Sequence, residues 1–235
     1  MTDNATPCIV EERDSYAVVF KPPKMHSDFN ASAPENESLA RWGLSAFPLA
    51  AGRGGGLVHR LDFETQGLVL FAKNRESLAF FRALQESGGL VKEYGAFCEK
   101  SPNGLPGFPP APVFLETRPF AIESYFRPFG PGRKEVRPVI GETRKDVAKD
   151  RGGFYRTEVV GAEDGFFRVM IKRGFRHQIR CHLSWLGYPI AGDPIYASPP
   201  ASPPPAGKNA FLALCAQAIF FADPETGQKR ECRSV

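Results

Sequence analysis

Short apolar runs bounded by proline, glycine or polar residues recur along this chain, and their length predicts strands. Tyr16–Phe20 is rich in residues that favour strands, and it stops at Lys21-Pro22-Pro23 because proline cannot donate a hydrogen bond to a neighbouring strand. The segment 211–221 is almost wholly apolar, which predicts a core element without deciding between helix and strand. Further strands are predicted at 66–73, 92–98, 122–127, 154–160 and 166–172.

Three segments carry the signals of a helix. In the clearest, apolar residues recur at helical spacing over residues 75–86, Asn74 can cap the first turn, and Gly88-Gly89 ends the pattern. Two shorter helices are predicted over Ser38–Phe47 and Arg176–Leu186. Because strands outnumber helices and the two types are mixed along the chain, the expected fold class is α+β.

The predicted domain organisation is simple. Residues 1–14 are polar and are expected to form an N-terminal arm, and residues 15–235 are expected to form one domain. Proline and glycine crowd residues 102–112 and 198–208, which are predicted to be loops of that domain. The N-terminus lacks the pattern of a signal peptide and no run of about 18 apolar residues occurs, so no membrane span is expected.

Composition and charge narrow the classes of function. Hydrophobic residues make up 42% of the 235 residues, which permits a sizeable core and argues against disorder. Lys and Arg total 30 against 26 Asp and Glu, and the net charge of +4 permits an RNA partner without demanding one. The five cysteines are scattered without metal or disulfide spacing, which indicates reduced thiols and a cytoplasmic location.

The most informative stretch runs from Gly54 to Asn74. A glycine run is followed by a polar cluster and then by the apolar strand predicted at 66–73. This layout is suited to holding one carboxylate against a rigid sheet, although charged loops between strands are also common without such a role. The polar cluster consists of His59, Arg60, Asp62, Glu64 and Thr65.

A second stretch, Gly174–Tyr196, combines basic residues with an apolar helical pattern. On a helix, Arg176 and Arg180 are four residues apart and would share a face beside an apolar stripe. Arg180 would then lie at the edge of the buried face, where a guanidinium needs a carboxylate partner. Asp62 is the obvious candidate for that partner.

Four segments together resemble the RluA-type pseudouridine synthases, a family that isomerises uridine in RNA. The matches are HRLD-x-x-T-x-G around Asp62, HQIR-x-H around Arg180, a K-x-Y strand with Tyr94 and, more weakly, YAVVFKP at the start. They follow the family's order along most of the chain. The resemblance implies a single catalytic domain whose core is a mixed, mostly antiparallel sheet with flanking helices.

The resemblance also implies roles for individual residues. Asp62 would be the catalytic aspartate, Tyr94 would stack on the uracil and assist proton transfer, and Arg180 would be the basic residue beside Asp62. Asp62 could act as a nucleophile at C1′ or as a base at C2′ of the ribose, and the sequence leaves both routes open. The residues expected to contact the substrate are His59, Arg60, Thr65, Arg176, His177 and Gln178.

The implied partner is ribosomal or transfer RNA, with no cofactor, no metal and no obligate protein partner. The chain is expected to be a monomer and to lack the separate N-terminal S4 domain of some relatives. Three positions depart from the family pattern: Gln66 replaces a usual Ser, Phe175 a usual Arg, and Cys215 the His of an LHA triplet. These departures concern substrate contacts more than chemistry, because the three catalytic positions are all present.

Two other functions stay open from the residues. A catalytically silent RNA-binding protein could keep the same fold, and a glycosidase would need a second catalytic carboxylate, for which Glu64 is the nearest choice. His59, His177 and His182 are expected to have structural roles, and the spacing of the last two does not suit a metal site on one helical face. Asp193 is expected to shape a turn or to bond to a neighbouring strand rather than to catalyse.

Affinity for RNA is expected to come from a local basic surface, because the net charge is small. Arg53 and Arg60 beside the predicted catalytic loop, and Arg173 and Arg176 near the second motif, are the expected contributors. Some residues of a basic cluster between 127 and 151 could add to them, although interleaved acids are equally compatible with an ordinary solvated surface. The cluster comprises Arg127, Arg133, Lys134, Arg137, Arg144, Lys145, Lys149 and Arg151.

Overall fold

The computed structural model describes residues 6–29, 38–47, 54–101, 104–113, 115, 117–141, 153–197 and 211–234. The chain divides into two compact units, of which unit 1 comprises Met1–Tyr94 with Cys215–Val235 and unit 2 comprises Gly95–Leu214. The single domain expected for residues 15–235 stays a prediction. None of the helices in the described ranges is long and apolar enough to span a membrane.

Strands dominate the described residues, and helices lie between them in an α+β order. The strands are β1 (Cys8–Glu12), β2 (Tyr16–Lys21), β3 (Gln66–Ala72), β4 (Val91–Phe97), β5 (Phe120–Phe129), β6 (Glu135–Val139), β7 (Tyr155–Glu163), β8 (Phe166–Ile171), β9 (Leu214–Ala222) and β10 (Lys229–Arg233). The helices are α1 (Leu39–Ala46), α2 (Arg75–Glu86) and α3 (Gln178–Trp185), and a short 3-10 turn covers Pro131–Arg133.

Unit 1 is built on a mixed sheet. β2 pairs antiparallel with both β1 and β3, and β10 pairs antiparallel with β9. β3 runs parallel to β9, with Gln66 opposite Cys215 and Gly67 opposite Ala216. Almost every residue of β2 and β3 is buried, because these strands are apolar on both faces. The predicted mixed, mostly antiparallel sheet is confirmed.

Helix α2 has the bounds and the cap that the sequence predicts. The Ser77 N–H donates to Asn74 Oδ1 at 2.8 Å, and the Asn74 N–H donates to Ser77 Oγ at 3.4 Å, which satisfies two donors of the first turn. Phe81 on its inner face is fully buried, and its ring contacts Tyr16 and Phe221 at centroid distances of 6.0 and 5.6 Å. The helix is therefore fixed both by its cap and by the aromatic core of unit 1.

Unit 2 combines antiparallel strands with one buried helix. β7 pairs antiparallel with β5 and β8, and β5 pairs antiparallel with β6. Every residue of α3 is buried, and the helix lies against β6 and β7. A core cluster holds this arrangement together, and its buried members are Phe126, Val136, Tyr155, Cys181 and Tyr196.

Several local predictions differ from the structure. Residues 8–12, expected to belong to a polar arm, form β1 because they pair with β2. β6 was not predicted, since its sequence EVRPV carries two charges and a proline. Most of the undecided apolar segment 211–221 belongs to strand β9. The 198–208 loop lies outside the described residues.

Candidate active site

Asp62 lies in the turn that leads into β3, between the buried Leu61 and the exposed Phe63. The residue is half-buried, and the Thr65 N–H donates to its carbonyl at 3.1 Å, which closes the turn. Gly67 follows with a φ of +121°, and a Cβ there would lie 2.3 Å from the Ala216 carbonyl oxygen. Only glycine fits at this position of the motif, because a side chain would push β3 away from β9.

The turn is held from both sides by residues 21–28, which we call the bracing segment. Ser27 Oγ donates to the Leu61 carbonyl at 2.7 Å and accepts from the Leu61 N–H at 3.0 Å. Lys21 Nζ donates to the Phe63 carbonyl at 3.4 Å. The carboxylate-bearing residue is thus anchored through the residue before it and the residue after it.

Lys21 is a site residue that sequence reasoning missed. Its side chain is fully buried, and Nζ also donates to the carbonyls of Pro22 and Met25 at 2.9 and 2.8 Å, so three acceptors match its three donors. Burial lowers the pKa of the ammonium to about 7, although the negative charges of Asp62 and Glu64 oppose this shift. The available signal was a lysine that ends an otherwise apolar strand.

Tyr94 lies on β4 and is almost fully buried. Burial raises the pKa of its phenol, and the Asp62 carboxylate and the Cys215 thiol raise it further. These two groups therefore lie within electrostatic range of Tyr94. Because the phenol keeps its proton at neutral pH, it can donate a hydrogen bond and present its ring, but it is a poor general base.

Two of the predicted substrate contacts, His59 and Thr65, are buried. His59 Nε2 accepts from the Leu70 N–H at 3.2 Å, and burial, reinforced by the charge of Lys92, lowers the pKa of the imidazole to about 3. The neutral ring ties the turn to β3, as expected for a structural histidine. Thr65 Oγ1 is also buried, and it has no hydrogen-bond partner within the described part of the chain. Contact of either residue with a substrate stays a prediction.

Arg180 is fully buried in α3 and forms a two-pronged ion pair with Asp193. Its Nε and Nη2 each lie 2.8 Å from a carboxylate oxygen. Asp193 Oδ1 also accepts from the N–H groups of Ile195 and Tyr196, which confirms that this aspartate shapes a turn. The prediction that Arg180 lies at the edge of a buried face is wrong, because α3 is buried on all sides. Its expected pairing with Asp62 stays a prediction.

Arg176 lies in the turn before α3 and not on the helix. The backbone of His177 has a left-handed φ of +57°, which interrupts the helical geometry between Arg176 and Arg180. The prediction that these two arginines share a helical face is therefore wrong. Arg176 Nη2 instead donates to the carbonyls of Arg133 and Glu135 at 2.7 and 3.2 Å.

Gln178 and His182 bond the first turns of α3 to the neighbouring strands. Gln178 is buried, and its Nε2 donates to Thr157 Oγ1 at 3.1 Å. The ring nitrogens of His182 lie 2.8 Å from Thr157 Oγ1 and 2.9 Å from Ser124 Oγ. Burial lowers the pKa of His182 to about 3, so the ring is neutral. These contacts indicate structural roles, and contact of Gln178 with a substrate stays a prediction.

Phe175 stands where the family usually has arginine, and its surroundings explain the difference. Its ring stacks on Phe126 at 5.0 Å and contacts Tyr155 at 4.9 Å, so it extends the core of unit 2. An arginine in this position would bring a charge to an aromatic cluster.

His177, two residues later, has its Nδ1 3.2 Å from the hydroxyl of Tyr196.

The basic residues expected to face RNA differ in their burial, and Arg127 among them is half-buried. Arg137 is buried, with its guanidinium 4.2 Å from the Phe129 ring and 2.7 Å from Glu135, so it stabilises unit 2. The side chains of Arg60, Arg133, Lys134, Arg173 and Arg176 are exposed. Arg53, Arg144, Lys145, Lys149 and Arg151 lie outside the described residues.

Comparison with known proteins adds independent information. A family model described as RNA pseudouridylate synthase matches residues 15–185. The chain is 32% identical over 218 residues to an uncharacterized protein of Caenorhabditis elegans, which covers 88% of this chain and 44% of that protein. It is 25% identical over 237 residues to the ribosomal large subunit pseudouridine synthase D of Haemophilus ducreyi, covering 96% of this chain and 66% of that protein. The chain thus spans less than two thirds of the length of these relatives.

Solved structures with a similar fold include Human RNA Pseudouridylate Synthase Domain Containing 1, with a TM-score of 0.63 and 19% sequence identity. The similarity covers 100% of this chain and 86% of that one. Human RNA Pseudouridylate Synthase Domain Containing 4 gives a TM-score of 0.62 at 16% identity, over 97% of this chain and 87% of that one. At such identities the likeness concerns the fold, and it confirms the predicted fold.

Proposed function

This chain belongs to the RNA pseudouridylate synthase family, and we propose that it converts uridine to pseudouridine in ribosomal or transfer RNA. The reaction breaks the N1–C1′ bond, turns the uracil and joins its C5 to C1′, while C5 loses a proton and N1 gains one. No electrons are gained or lost, so the reaction needs no redox cofactor. The reaction needs a carboxylate that acts at the ribose, an aromatic surface for the uracil, a base that takes the C5 proton and a means of holding RNA.

The braced turn around Asp62 is the observation that carries the proposal. The carboxylate belongs to a half-buried residue whose neighbours on both sides are hydrogen-bonded to Ser27 and Lys21. In its protonated form, Lys21 interacts electrostatically with Asp62 and favours the ionised carboxylate. An ionised, rigidly held carboxylate can act either as a nucleophile at C1′ or as a base at C2′, and both routes are compatible with this geometry.

Tyr94 is proposed to stack on the uracil while it is detached from the ribose. Its burial and its electrostatic interaction with Asp62 support this role. The protonated hydroxyl would assist the late loss of the C5 proton through a hydrogen bond, since its raised pKa disfavours a free phenolate. Arg180 is proposed to favour the ionised form of Asp62, with its guanidinium plane fixed by Asp193.

RNA is proposed to bind with the target uridine flipped out of its stack, because the reacting atoms are inaccessible within a helix. Arg60, which is exposed in the same turn as Asp62, would contact RNA or fill the vacated space. Substrate contacts from His59, Thr65, Arg176, His177 and Gln178 belong to the same proposal. A cytoplasmic monomer is proposed, and the five free cysteines support a reducing compartment.

A catalytically silent RNA-binding protein is the second candidate. The departures at Gln66 and Cys215 favour it, because these residues are paired across β3 and β9 and the second lies near Tyr94. The intact set of Asp62, Tyr94 and Arg180 favours the enzyme.

Pseudouridine mapping in total RNA tests the proposal. Cells with the gene, without it, and without it but carrying Asp62→Asn are compared, since Asn keeps the shape of the side chain and removes its charge. We expect specific pseudouridines to disappear on deletion, to return with the wild-type gene and to stay absent with Asp62→Asn. Sites that return with a folded Asp62→Asn protein would contradict the assignment, and an unchanged map on deletion would favour the silent RNA-binding protein.

A further inference from the structure

Phe63 is an exposed aromatic residue directly after Asp62. It is 39% exposed, whereas Leu61 on the other side of the carboxylate is 7% exposed. Consecutive Cα atoms are about 3.8 Å apart, so the ring belongs to the same short turn as the proposed catalytic carboxylate. Single apolar residues on a surface are common, and exposure alone does not indicate a role. Phe63 differs from such residues because neighbouring groups hold both its backbone and its ring in place.

Both the backbone and the ring of Phe63 are held in place. Lys21 donates to the Phe63 carbonyl at 3.4 Å, and the His26 ring contacts the Phe63 ring at a centroid distance of 4.6 Å, with the two ring planes tilted by 40°. His26 is itself anchored, because its carbonyl accepts from the N–H of Leu39 at the start of α1 at 2.8 Å. An exposed ring on such a support loses little conformational freedom when it binds a flat partner.

The turn and the bracing segment that supply Phe63 and His26 also carry cations and acids. The Arg60 side chain is 68% exposed, and Lys24 is exposed in the bracing segment. Asp28 pairs with Arg60 at 3.2 Å, and this exposed pair contributes little to stability, so a phosphate can replace it. An aromatic face with adjacent cations is the combination by which proteins hold unpaired nucleotides.

We propose that the Phe63 ring, supported by His26, is a stacking platform for the nucleobase next to the modified uridine. This inference rests on the proposed function and extends it to a neighbouring nucleotide. The buried Tyr94 ring is assigned to the flipped uracil, whereas the exposed Phe63 ring receives a base that stays outside the pocket. Because every base has an aromatic face, the platform strengthens binding without selecting a sequence.

Salt-dependent binding distinguishes stacking from charge contacts. The full chain is titrated with total RNA from cells that lack the gene, at several salt concentrations, for wild type, Phe63→Ala, Phe63→Trp and Arg60→Gln. We expect Phe63→Ala to weaken binding roughly five- to fiftyfold with an unchanged salt slope, and Phe63→Trp to retain affinity. Arg60→Gln should instead lower the salt slope by about one unit.

Phe154→Ala is the matched control, because Phe154 is 56% exposed in unit 2 and packs on Tyr125 at 4.2 Å. Thermal unfolding checks that each variant is folded. If Phe63→Ala does not fold, Phe63→Trp still tests the platform. Equal affinities for wild type, Phe63→Ala and Phe154→Ala would overturn the platform, as would a loss of affinity in Phe63→Trp equal to that in Phe63→Ala.

Asp62→Asn separates a failure of this inference from a failure of the proposed function. If wild type forms pseudouridine, Asp62→Asn does not, and Phe63→Ala binds RNA like wild type, only the platform is wrong. If Asp62→Asn retains turnover, the catalytic assignment is wrong whatever Phe63→Ala does.

Discussion

Gln66 and Cys215 are register partners where β3 runs parallel to β9. They are also two of the three positions at which this chain departs from the RluA-type pattern. Paired residues of neighbouring strands project from the same face of a sheet, so a change at one alters the space available to the other. The Cys215 thiol also raises the pKa of Tyr94, so this altered pair lies near the proposed catalytic tyrosine.

The first prediction is that these two departures are coupled. We expect Gln66→Ser and Cys215→His together to be less destabilising than the sum of the single changes, by about 0.5–1 kcal/mol, because the shorter side chain leaves room for the imidazole. Urea unfolding of the four proteins in the cycle measures this difference. Gln66→Ser combined with Cys8→His, at an exposed position on β1, is the control and should be additive. Additivity in both cycles would contradict the coupling.

Tyr94→Phe tests the hydroxyl separately from the ring. The variant keeps the stacking surface, so we expect RNA affinity close to wild type but product formation slowed by about tenfold or more, because the hydrogen bond that the hydroxyl would donate during the loss of the C5 proton is absent. Single-turnover assays on total RNA from the deletion cells measure the rate. Tyr125→Phe, at a half-buried tyrosine of unit 2, is the control. A wild-type rate in Tyr94→Phe would mean that only the ring matters.

Arg180→Met is expected to destabilise the protein strongly. The change leaves the buried carboxylate of Asp193 without its two charged hydrogen bonds, and breaking such a pair costs about 3–5 kcal/mol. Urea unfolding checks this cost, with Arg176→Met as the control because Arg176 is exposed. Equal stabilities of the two variants would show that the pair contributes little.

The proposed action of Arg180 on Asp62 needs a different measurement, since a loss of stability alone would also follow from a structural role. Arg180→Lys keeps one positive charge but loses the planar fork. If the charge of Arg180 favours the ionised form of Asp62, the acid limb of the profile of kcat/KM against pH should move to higher pH in Arg180→Met, which lacks the charge, and should move less in Arg180→Lys. An unmoved acid limb would restrict Arg180 to a structural role.

In the His182→Gln variant, the free energy of unfolding is expected to change less with pH under acidic conditions than in wild type. The folded protein holds His182 neutral down to a pKa of about 3, whereas the unfolded chain takes up the proton near the ordinary histidine pKa of 6.5. The unfolded state therefore binds more protons between these values, so stability is full above pH 6.5 and falls as the pH drops toward 3. Urea midpoints at neutral pH and at about pH 4.5 should differ less in the variant than in wild type. If the difference between the two urea midpoints were the same in the variant and in wild type, His182 would not be a buried neutral group in the folded protein.

Ser27→Ala tests whether the bracing segment keeps Asp62 ready for reaction. The change removes both hydrogen bonds to Leu61 and leaves its buried N–H and carbonyl unsatisfied, which costs about 1–3 kcal/mol. We expect faster hydrogen exchange at the Leu61 amide and a lower kcat with little change in KM. Ser27→Thr should restore both, and Ser87→Ala at the exposed end of α2 is the control. Unchanged exchange and kcat would argue against bracing.

Local signals made several elements predictable from the sequence. Helix α2 was recovered with its Asn74 cap because the cap and the apolar spacing involve neighbours in the chain. The strand after Asp62 was recovered because Leu68–Phe71 is apolar and follows a polar turn. Asp62 was predicted to be the catalytic residue from the motif around it, and the steric demand at Gly67 gives a physical reason for part of that motif.

Tertiary structure decided which groups hold the site together. Ser27 and Leu61 are 34 residues apart, and their hydrogen bonds depend on the position of the bracing segment, which follows the end of β2. The burial of Arg180 and its ion pair with Asp193 likewise follow from the packing of α3 against β6 and β7. The spacing of residues along one helix does not predict that packing. The sequence determined the elements and the chemical groups, because these depend on neighbours along the chain. The fold determined their partners and burial, because these depend on residues far apart in sequence.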